Sequence, residues 1–136
     1  MTISVVIPFY NESESIQRTL FCIDNQEFPP SEVIFVDSGS TDNTVEIINT
    51  HIDLHNKSNY RVIYCGEMSP SSSLNKGVNE SVSELIAYID CGLNIPSNWL
   101  LESHKVMENC NCSIVSLQIK TNGTSLIDKS FVAQTY

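Results

Sequence analysis

The stretch Val33-Ile34-Phe35-Val36-Asp37-Ser38-Gly39-Ser40-Thr41-Asp42 decides the fold, because it reads as a buried strand, a turn and the start of a helix. Four consecutive β-branched or aromatic residues are typical of a strand that is covered on both faces. Gly39 suits a turn that needs a positive φ angle. Ser40 or Thr41 is the expected N-cap of a helix. The buried stripe of that helix is predicted to be Val45, Ile48 and Ile52.

The same alternation of strand and helix runs outward along the chain. Strands are predicted at 3–8, 33–37, 60–65, 85–90 and 113–119. This order predicts the α/β class, as a Rossmann-like three-layer αβα sandwich with a mostly parallel sheet and right-handed crossovers.

Helices are predicted between these strands. Asn11 is the expected N-cap of the first, with Glu14 completing a capping box and Ile16, Leu20 and Ile23 on one face. Residues 51–59 and the Ser-rich stretch 68–73 are predicted as loops. A short helix then passes through Leu74, Val78 and Val82, and a further helix begins at Pro96-Ser97, with Leu100, Val106 and Met107 as core contacts.

Composition sets limits on class and partners. The chain has 136 residues, a length typical of one domain, and 41% of them are hydrophobic. No apolar run approaches the roughly 18 residues of a membrane span, and no signal peptide is recognisable, so we expect a cytoplasmic protein without a transmembrane segment. The net charge of -9 argues against a nucleic-acid partner.

The five cysteines are odd in number and contain no Cys-x-x-Cys pair, which favours reduced thiols over disulfides or a metal site. Cys110 and Cys112 lack a second pair or a suitably spaced histidine.

Two aspartates mark the predicted functional edge of the sheet. Asp37 and Asp90 each end an apolar run, and the first strand ends at the same edge, before Phe9-Tyr10-Asn11-Glu12. In an open parallel sheet, ligands bind beyond the carboxyl ends of the strands. The two carboxylates therefore predict one polar site.

Other nucleotide-binding α/β plans fit poorly. The sequence after the first strand has neither the Gly-x-Gly-x-x-Gly fingerprint nor the phosphate-binding loop that ends in Gly-Lys-Ser/Thr. A phosphate-receiving regulator would need acids where Pro8-Phe9-Tyr10 stands.

Four blocks in order resemble the nucleotide-binding half of family 2 glycosyltransferases, which have the GT-A fold. They are residues 4–12, 33–44, 74–79 and 89–92, the last followed by Pro96, Trp99 and Leu100. The resemblance covers residues 3 to about 120. It implies a nucleotide-sugar-binding domain over 1–120, with 121–136 as a tail that begins a missing or vestigial acceptor region.

The resemblance implies where a nucleotide would bind. Pro8, Phe9 and Tyr10 would lie beside the base, usually uracil, with Glu12 nearby. Asp37 would accept a hydrogen bond from the base N–H, and Ser38 would form the turn after it. From the residues alone, Tyr10 could instead be a surface tyrosine, Glu12 a helix-dipole acid and Asp37 a turn aspartate.

At two positions the charge differs from what the resemblance leads us to expect. Leu74 stands where relatives carry an arginine, so Lys76 either compensates or is a solvated helix lysine. Asp90 matches the first acid of the family's Asp-x-Asp motif, which holds Mn²⁺ or Mg²⁺ on the diphosphate, but Gly92 replaces the second acid. Metal binding through Asp90 is therefore expected to be weak, and Asp90 could instead be an acid without a metal role.

The function implied is a glycosyltransferase that takes a sugar from a nucleotide-sugar donor, usually a UDP-sugar. The reaction would be inverting transfer to an acceptor hydroxyl, or slow donor hydrolysis. The alternatives are a non-catalytic nucleotide-sugar-binding module, as in a truncated or degenerate enzyme, and an unrelated regulatory α/β domain. No catalytic base is assigned, since Asp128, Glu102 and His104 have no motif behind them. The donor sugar and the acceptor are not predicted. A homo-oligomer would cover apolar faces that so short a sheet leaves exposed.

Overall fold

A computed structural model of the chain describes residues 1–110, 114–116 and 132–134. The strands are β1 (Ile3–Phe9), β2 (Glu32–Asp37), β3 (Tyr60–Tyr64), β4 (Leu85–Tyr88), β5 (Ile114–Ser116) and β6 (Val132–Gln134). The helices are α1 (Ile16–Asp24), α2 (Thr44–Leu54), α3 (Pro70–Glu80) and α4 (Trp99–Cys110). The predicted alternation of strand and helix is confirmed through α4.

The main sheet is parallel and has the strand order β3-β2-β1-β4. Phe9 pairs with Asp37 across β1 and β2, and Val6 pairs with Tyr88 across β1 and β4. The chain first builds the sheet outward from β1 to β3 and then returns to the other side of β1. The strand order therefore reverses between the carboxyl ends of β1 and β4, where parallel sheets open a crevice for ligands.

One face of the sheet carries the larger core. Alternate strand residues such as Val5, Ile7 and Phe35 are fully buried there against α1, α2 and α4. The stripe predicted for the first helix is confirmed, because its three residues are at most 2% exposed. Ile48 and Leu100 complete this layer.

Helix α3 covers the opposite face at unusually short range. A Cβ atom on Gly77 would lie 2.3 Å from Val6 Cγ1 and 2.9 Å from Val36 Cγ2. Glycine is therefore required at this position by the close approach of helix and sheet. Since α3 returns the chain from β3 to β4, its first turn lies at the carboxyl edge of the sheet.

The starts of all four helices differ from prediction, although α4 begins only two residues after the predicted Ser97. Asn11 is not an N-cap; it has a φ angle of 52°, and α1 begins at Ile16. Neither Ser40 nor Thr41 caps α2, which begins at Thr44 after Asn43 and continues to Leu54, into the predicted loop. Helix α3 begins inside the predicted Ser-rich loop, because the Ser69 side chain accepts a hydrogen bond from the Ser72 N–H and Pro70 occupies the first turn.

The strand boundaries differ as well. Strand β4 ends at Tyr88, so Asp90 lies two residues beyond it. Val82, predicted to lie on the third helix, follows α3 and is 86% exposed. Strand β5 falls within the fifth predicted strand but does not join the parallel sheet. It pairs antiparallel with β6, in a tail for which no element was predicted.

No helix in the described part of the chain combines the length and apolarity of a membrane span. Among the described residues, Cys22, Cys65 and Cys91 are free thiols.

Candidate functional site

A cleft of about 640 Å³ opens at the carboxyl edge of the sheet, where the strand order reverses. Six of the eight residues predicted for the site line it, namely Pro8, Phe9, Tyr10, Glu12, Ser38 and Asp90. Glu67, Met68, Pro70 and Cys91 complete the lining and were not predicted. The topology therefore brings the ends of β1, β2 and β4 together with the start of α3.

Asn11 joins the loop after β1 to the loop after β2. Its side-chain Oδ1 accepts hydrogen bonds from the backbone N–H groups of Thr41, at 2.7 Å, and Asp42, at 3.3 Å. Its own N–H donates to Ser40 Oγ at 3.0 Å. These bonds fix the neighbouring Tyr10, which is 55% exposed, at the mouth of the cleft.

Asp42 also joins the loops after β1 and β2. Its Oδ1 accepts from the Thr44 N–H and hydroxyl, at 3.1 and 2.6 Å, and its Oδ2 accepts from the Ser13 N–H at 3.1 Å. The hydrogen bond from the Thr44 hydroxyl is the largest cause that lowers the pKa of Asp42 to about 2. Asp42 stabilises the start of α2 and does not line the cleft.

Asp37 is buried at the end of β2, beside the cleft and not in its lining. Its Oδ1 accepts a hydrogen bond from the Ser40 N–H at 2.8 Å, which is the turn role that the sequence left open. Among the described residues, Oδ2 has no hydrogen-bond partner, and it is not sealed from solvent. One oxygen orients the carboxylate and the other remains for a ligand.

Ser38 continues from Asp37 into the cleft wall. Its backbone N–H donates to the Phe9 carbonyl at 3.0 Å, and its hydroxyl lies 2.8 Å from the hydroxyl of buried Ser73 on α3. This chain of hydrogen bonds ties β1, β2 and α3 together at the rim.

Asp90 is exposed, and its carboxylate is already engaged on one side. The Tyr88 hydroxyl donates a hydrogen bond to Asp90 Oδ1. That bond is the main cause that raises the pKa of Tyr88 to about 12, with burial adding to it. Tyr88 itself does not line the cleft.

The position of the missing second acid is unfavourable for any residue with a side chain. Gly92 has a φ angle of 83°, and a Cβ atom there would lie 3.1 Å from Ser15 Cβ and 3.2 Å from Ser15 Oγ. An acid would need both a strained backbone and a displaced Ser15. The intervening Cys91 lies 3.5 Å from the Thr19 hydroxyl, and burial raises the pKa of its thiol.

The donor set does not fit a preformed Mg²⁺ or Mn²⁺ site. Such hard ions require several oxygen ligands in one shell. Asp90 is partly engaged by Tyr88, Glu12 accepts a hydrogen bond from the Ser15 hydroxyl, and Cys91 is a neutral soft group. Within residues 1–110 and the other described segments, no group of three acidic, histidine or cysteine side chains is arranged to hold a metal.

Lys76 does not join the other predicted site residues. It lies partly buried on α3 and outside the lining of the cleft. Leu74 packs against the buried residues Val6, Ile34 and Val36 instead of presenting a polar group. Compensation by Lys76 for the missing arginine therefore stays a prediction.

Neither of the two acid or base candidates that the structure describes, Glu102 and His104, lines the cleft. Glu102 pairs with Lys105 at 3.0 Å on α4. His104 on α4 stacks on Phe28, and the two ring centroids are 4.8 Å apart. Phe28 lies in the loop that precedes β2, at the edge of the sheet opposite the cleft. Asp128 lies outside the described residues.

Sequence signals for the missed lining residues exist but are weak. Ser69-Pro70 is a favourable N-cap and first-turn pair, and recognising it would have placed the start of α3 at the carboxyl edge. That placement would have brought Met68 and Pro70 to the cleft. No pattern in the sequence identifies Glu67.

Several known proteins are similar to this chain in sequence. The sequence profile of "Glycosyl transferase family 2" matches residues 4–130. Glycosyltransferase AglE of Haloferax volcanii is 34% identical over 101 residues, covering 72% of this chain and 33% of the relative. An uncharacterized glycosyltransferase of Haemophilus influenzae is 29% identical, covering 90% of this chain and 53% of the relative. The chain thus spans between a third and about half the length of these two relatives.

Solved structures share the fold. Staphylococcus aureus TarS 1-349 in complex with UDP-GlcNAc aligns with a TM-score of 0.79 and 25% identity, over 93% of this chain and 37% of TarS. The mannosyltransferase PcManGT from Pyrobaculum calidifontis, in complex with GDP-Man and Mn²⁺, aligns with a TM-score of 0.80 and 24% identity, over 87% of this chain and 35% of that one. The second likeness concerns the fold alone.

Proposed function

Because the chain belongs to glycosyl transferase family 2 and has the GT-A fold of that family, we propose that its cleft binds the nucleotide of a UDP-sugar donor. The observation that carries the proposal is the meeting of Tyr10, Ser38 and Asp90 in one cleft at the reversal of strand order, beside Asp37. The TarS structures with UDP and UDP-GlcNAc support it, since they align with 93% of this chain.

The base would lie against the wall formed by Pro8, Phe9 and Tyr10. A planar base suits an aromatic and proline surface, and its polar edge needs a few fixed partners. Asp37 supplies one, because Ser40 holds its Oδ1 and leaves Oδ2 to accept from the ring N–H of uracil. Cytosine has no N–H at that ring position, so a carboxylate there favours uracil.

Asp90 would accept a hydrogen bond from a ribose hydroxyl through its free Oδ2. The cleft is acidic, because Glu12 and Glu67 line it together with Asp90. Divalent metals occur in solved GT-A structures, including PcManGT with Mn²⁺. The use of Mn²⁺ or Mg²⁺ by this chain stays a prediction, since the carboxylates of the described residues do not form a site for the ion.

The reaction would be transfer of the sugar with inversion. The acceptor oxygen bonds to the anomeric carbon while the bond from that carbon to the β-phosphate oxygen breaks, UDP leaves, and the acceptor proton passes to a base. Without an acceptor, water would take its place and hydrolyse the donor slowly. The acceptor, a homo-oligomeric state and a cytoplasmic location stay predictions.

A second candidate is a nucleotide-sugar-binding module without catalysis. Two substitutions favour it, because Gly92 and Leu74 replace an acid and an arginine that relatives use near the diphosphate. Binding would survive these losses better than stabilisation of a charged leaving group. Family membership makes the third hypothesis, an unrelated regulatory domain, wrong.

One assay separates the two candidates. The chain is incubated with UDP-sugars and Mn²⁺, and UDP release is compared with that of buffer and of Asp90→Ala. A transferase releases UDP above both, whereas a binding module binds UDP in calorimetry and releases none above the variant. Absence of UDP binding, with or without metal, would contradict both candidates.

A further inference from the structure

Tyr88 and Asp90 form a pair at the end of β4, which we call the Tyr88–Asp90 pair. They are two residues apart, so an extended chain directs both side chains to the same side. The Tyr88 hydroxyl donates to Asp90 Oδ1, yet only Asp90 reaches the cleft. Tyr88 is 43% exposed, so its hydroxyl is not needed to satisfy a buried group.

The pair restricts what Asp90 can do. A hydrogen bond to an ionised carboxylate is short and directional, so it selects one orientation of the acid. A cation that coordinated through both carboxylate oxygens would compete with the phenol proton for Oδ1. Since Gly92 supplies no second carboxylate, a cation at this position would gain only the oxygens of Asp90.

We propose that Tyr88 is a positioning residue that holds Asp90 as a hydrogen-bond acceptor for a nucleotide hydroxyl and disfavours coordination of a divalent cation through both oxygens of Asp90. The inference rests on the proposed function, because it assigns a role to Asp90 in nucleotide binding. It makes nucleotide binding by this chain largely independent of metal. Tyr88 contributes to that independence together with Gly92, which supplies no second acid.

Removal of the phenol hydroxyl has two opposite consequences. In Tyr88→Phe, Asp90 loses its fixed orientation, so UDP binds more weakly when no metal is present. Both oxygens of Asp90 then become available to a cation on the diphosphate, so Mn²⁺ restores affinity. A merely structural role of Tyr88 predicts no change in the effect of Mn²⁺.

The chain offers a matched control. Tyr60 begins β3 at the opposite edge of the sheet, and its hydroxyl donates to Asp24 Oδ1 at 2.7 Å. Tyr60→Phe removes the same kind of bond far from the cleft. Asp90→Asn supplies the other arm of a double-mutant cycle, because the effect of Tyr88→Phe acts through that carboxylate.

The experiment is calorimetric titration of UDP into the full chain, in EDTA and in Mn²⁺. We expect wild type and Tyr60→Phe to bind alike, with little effect of Mn²⁺. In EDTA, Tyr88→Phe should bind UDP about fivefold more weakly than wild type. This is less than the loss expected when a direct hydrogen bond to a charged group is removed, because Tyr88 acts through Asp90. Mn²⁺ should recover that loss, and neither effect should appear in the Asp90→Asn background.

Two results would overturn the inference while the proposed function stands. Tyr88→Phe could bind as wild type does in EDTA, or Mn²⁺ could strengthen binding by wild type and Tyr88→Phe equally. If wild type binds no UDP in either buffer, the proposed function fails and the inference fails with it. Thermal unfolding of each variant verifies that the folded protein is compared.

Discussion

The side-chain oxygen of Asn11 accepts a hydrogen bond from the backbone N–H of Thr41 at 2.7 Å, which joins the loops after β1 and β2. Asn11 adopts a left-handed backbone angle, which places the amide across the gap. The base-binding wall at Tyr10 and the carboxylate at Asp37 therefore belong to one connected rim. Nucleotide binding should depend on this link even though Asn11 does not line the cleft.

Asn11→Gly removes the link without straining the backbone, since glycine accepts a positive φ angle. We expect a loss of about 1 kcal/mol in the free energy of unfolding, together with weaker UDP binding. Asn11→Ala should destabilise more, because alanine disfavours that angle. Urea denaturation and calorimetry measure both quantities. Unchanged UDP affinity in Asn11→Gly would show that the rim does not need the link.

Gly77→Ala tests the close approach of α3 to the sheet. The added methyl would lie 2.3 Å from Val6 Cγ1, so we expect a loss of about 2–3 kcal/mol in the free energy of unfolding. Combining it with Val6→Ala should cost less than the sum of the two single changes, because the smaller residue makes room. Strict additivity in denaturation experiments would contradict the geometry.

Asp37→Asn tests recognition of the base. The amide oxygen of asparagine can still accept from the Ser40 N–H, so the turn should survive. The amide N–H₂ cannot accept from uracil but can donate to the ring nitrogen of cytosine. We expect UDP affinity to fall about tenfold and the preference for UDP over CDP to shrink. Equal loss for both nucleotides in titrations would mean that Asp37 does not read the base.

The carboxylate of Asp42 should contribute to the free energy of unfolding, and acid should remove that contribution. Its pKa is lowered from 3.8 to about 2 in the folded chain, so the folded state favours the ionised carboxylate. The contribution is complete above the ordinary value and is lost as pH falls toward about 2. Asp42→Asn should be less stable than wild type at neutral pH and should converge with it in acid. A constant difference in urea denaturation between pH 5 and 2 would contradict this assignment.

Gly92→Asp restores the family's second acid in sequence but should not restore a metal site. The positive φ angle and the contact with Ser15 predict a loss of about 1–3 kcal/mol in the free energy of unfolding. Gly92→Ala, which adds only the Cβ atom, should lose a similar amount. A stable Gly92→Asp protein whose Mn²⁺ affinity rises in calorimetry would show that the turn accommodates the acid.

Local pattern was sufficient for the parallel sheet and for the edge at which the site lies. The apolar runs ending at Asp37 and Asp90 predicted both, because parallel strands bring their carboxyl ends together. The predictions that were wrong depend on tertiary contacts. Asn11 has the local pattern of an N-cap, but in the folded chain its side chain bonds to Thr41. Strand β5 pairs with β6 through a contact that no local pattern encodes.

In the lining of the cleft, the residues at or just after the ends of β1 and β2 were predictable, and those in the loop before α3 were not. Glu67 reaches the cleft because the loop before α3 packs against Gly39. Glu67 Cγ lies 3.4 Å from the position that a Cβ atom of Gly39 would occupy. The sequence left Lys76 open between a substitute cation and a solvated helix lysine, and α3 places it outside the lining of the cleft. The engagement of Asp90 by Tyr88 depends on side-chain orientation, which sequence spacing permits but does not require.

A crystal structure of the chain with UDP tests the central claim most directly. The account predicts uracil against Tyr10 with its ring N–H within hydrogen-bond distance of Asp37 Oδ2, and a ribose hydroxyl on Asp90. A structure in which UDP lies elsewhere, or in which saturating UDP leaves this cleft empty, would contradict it.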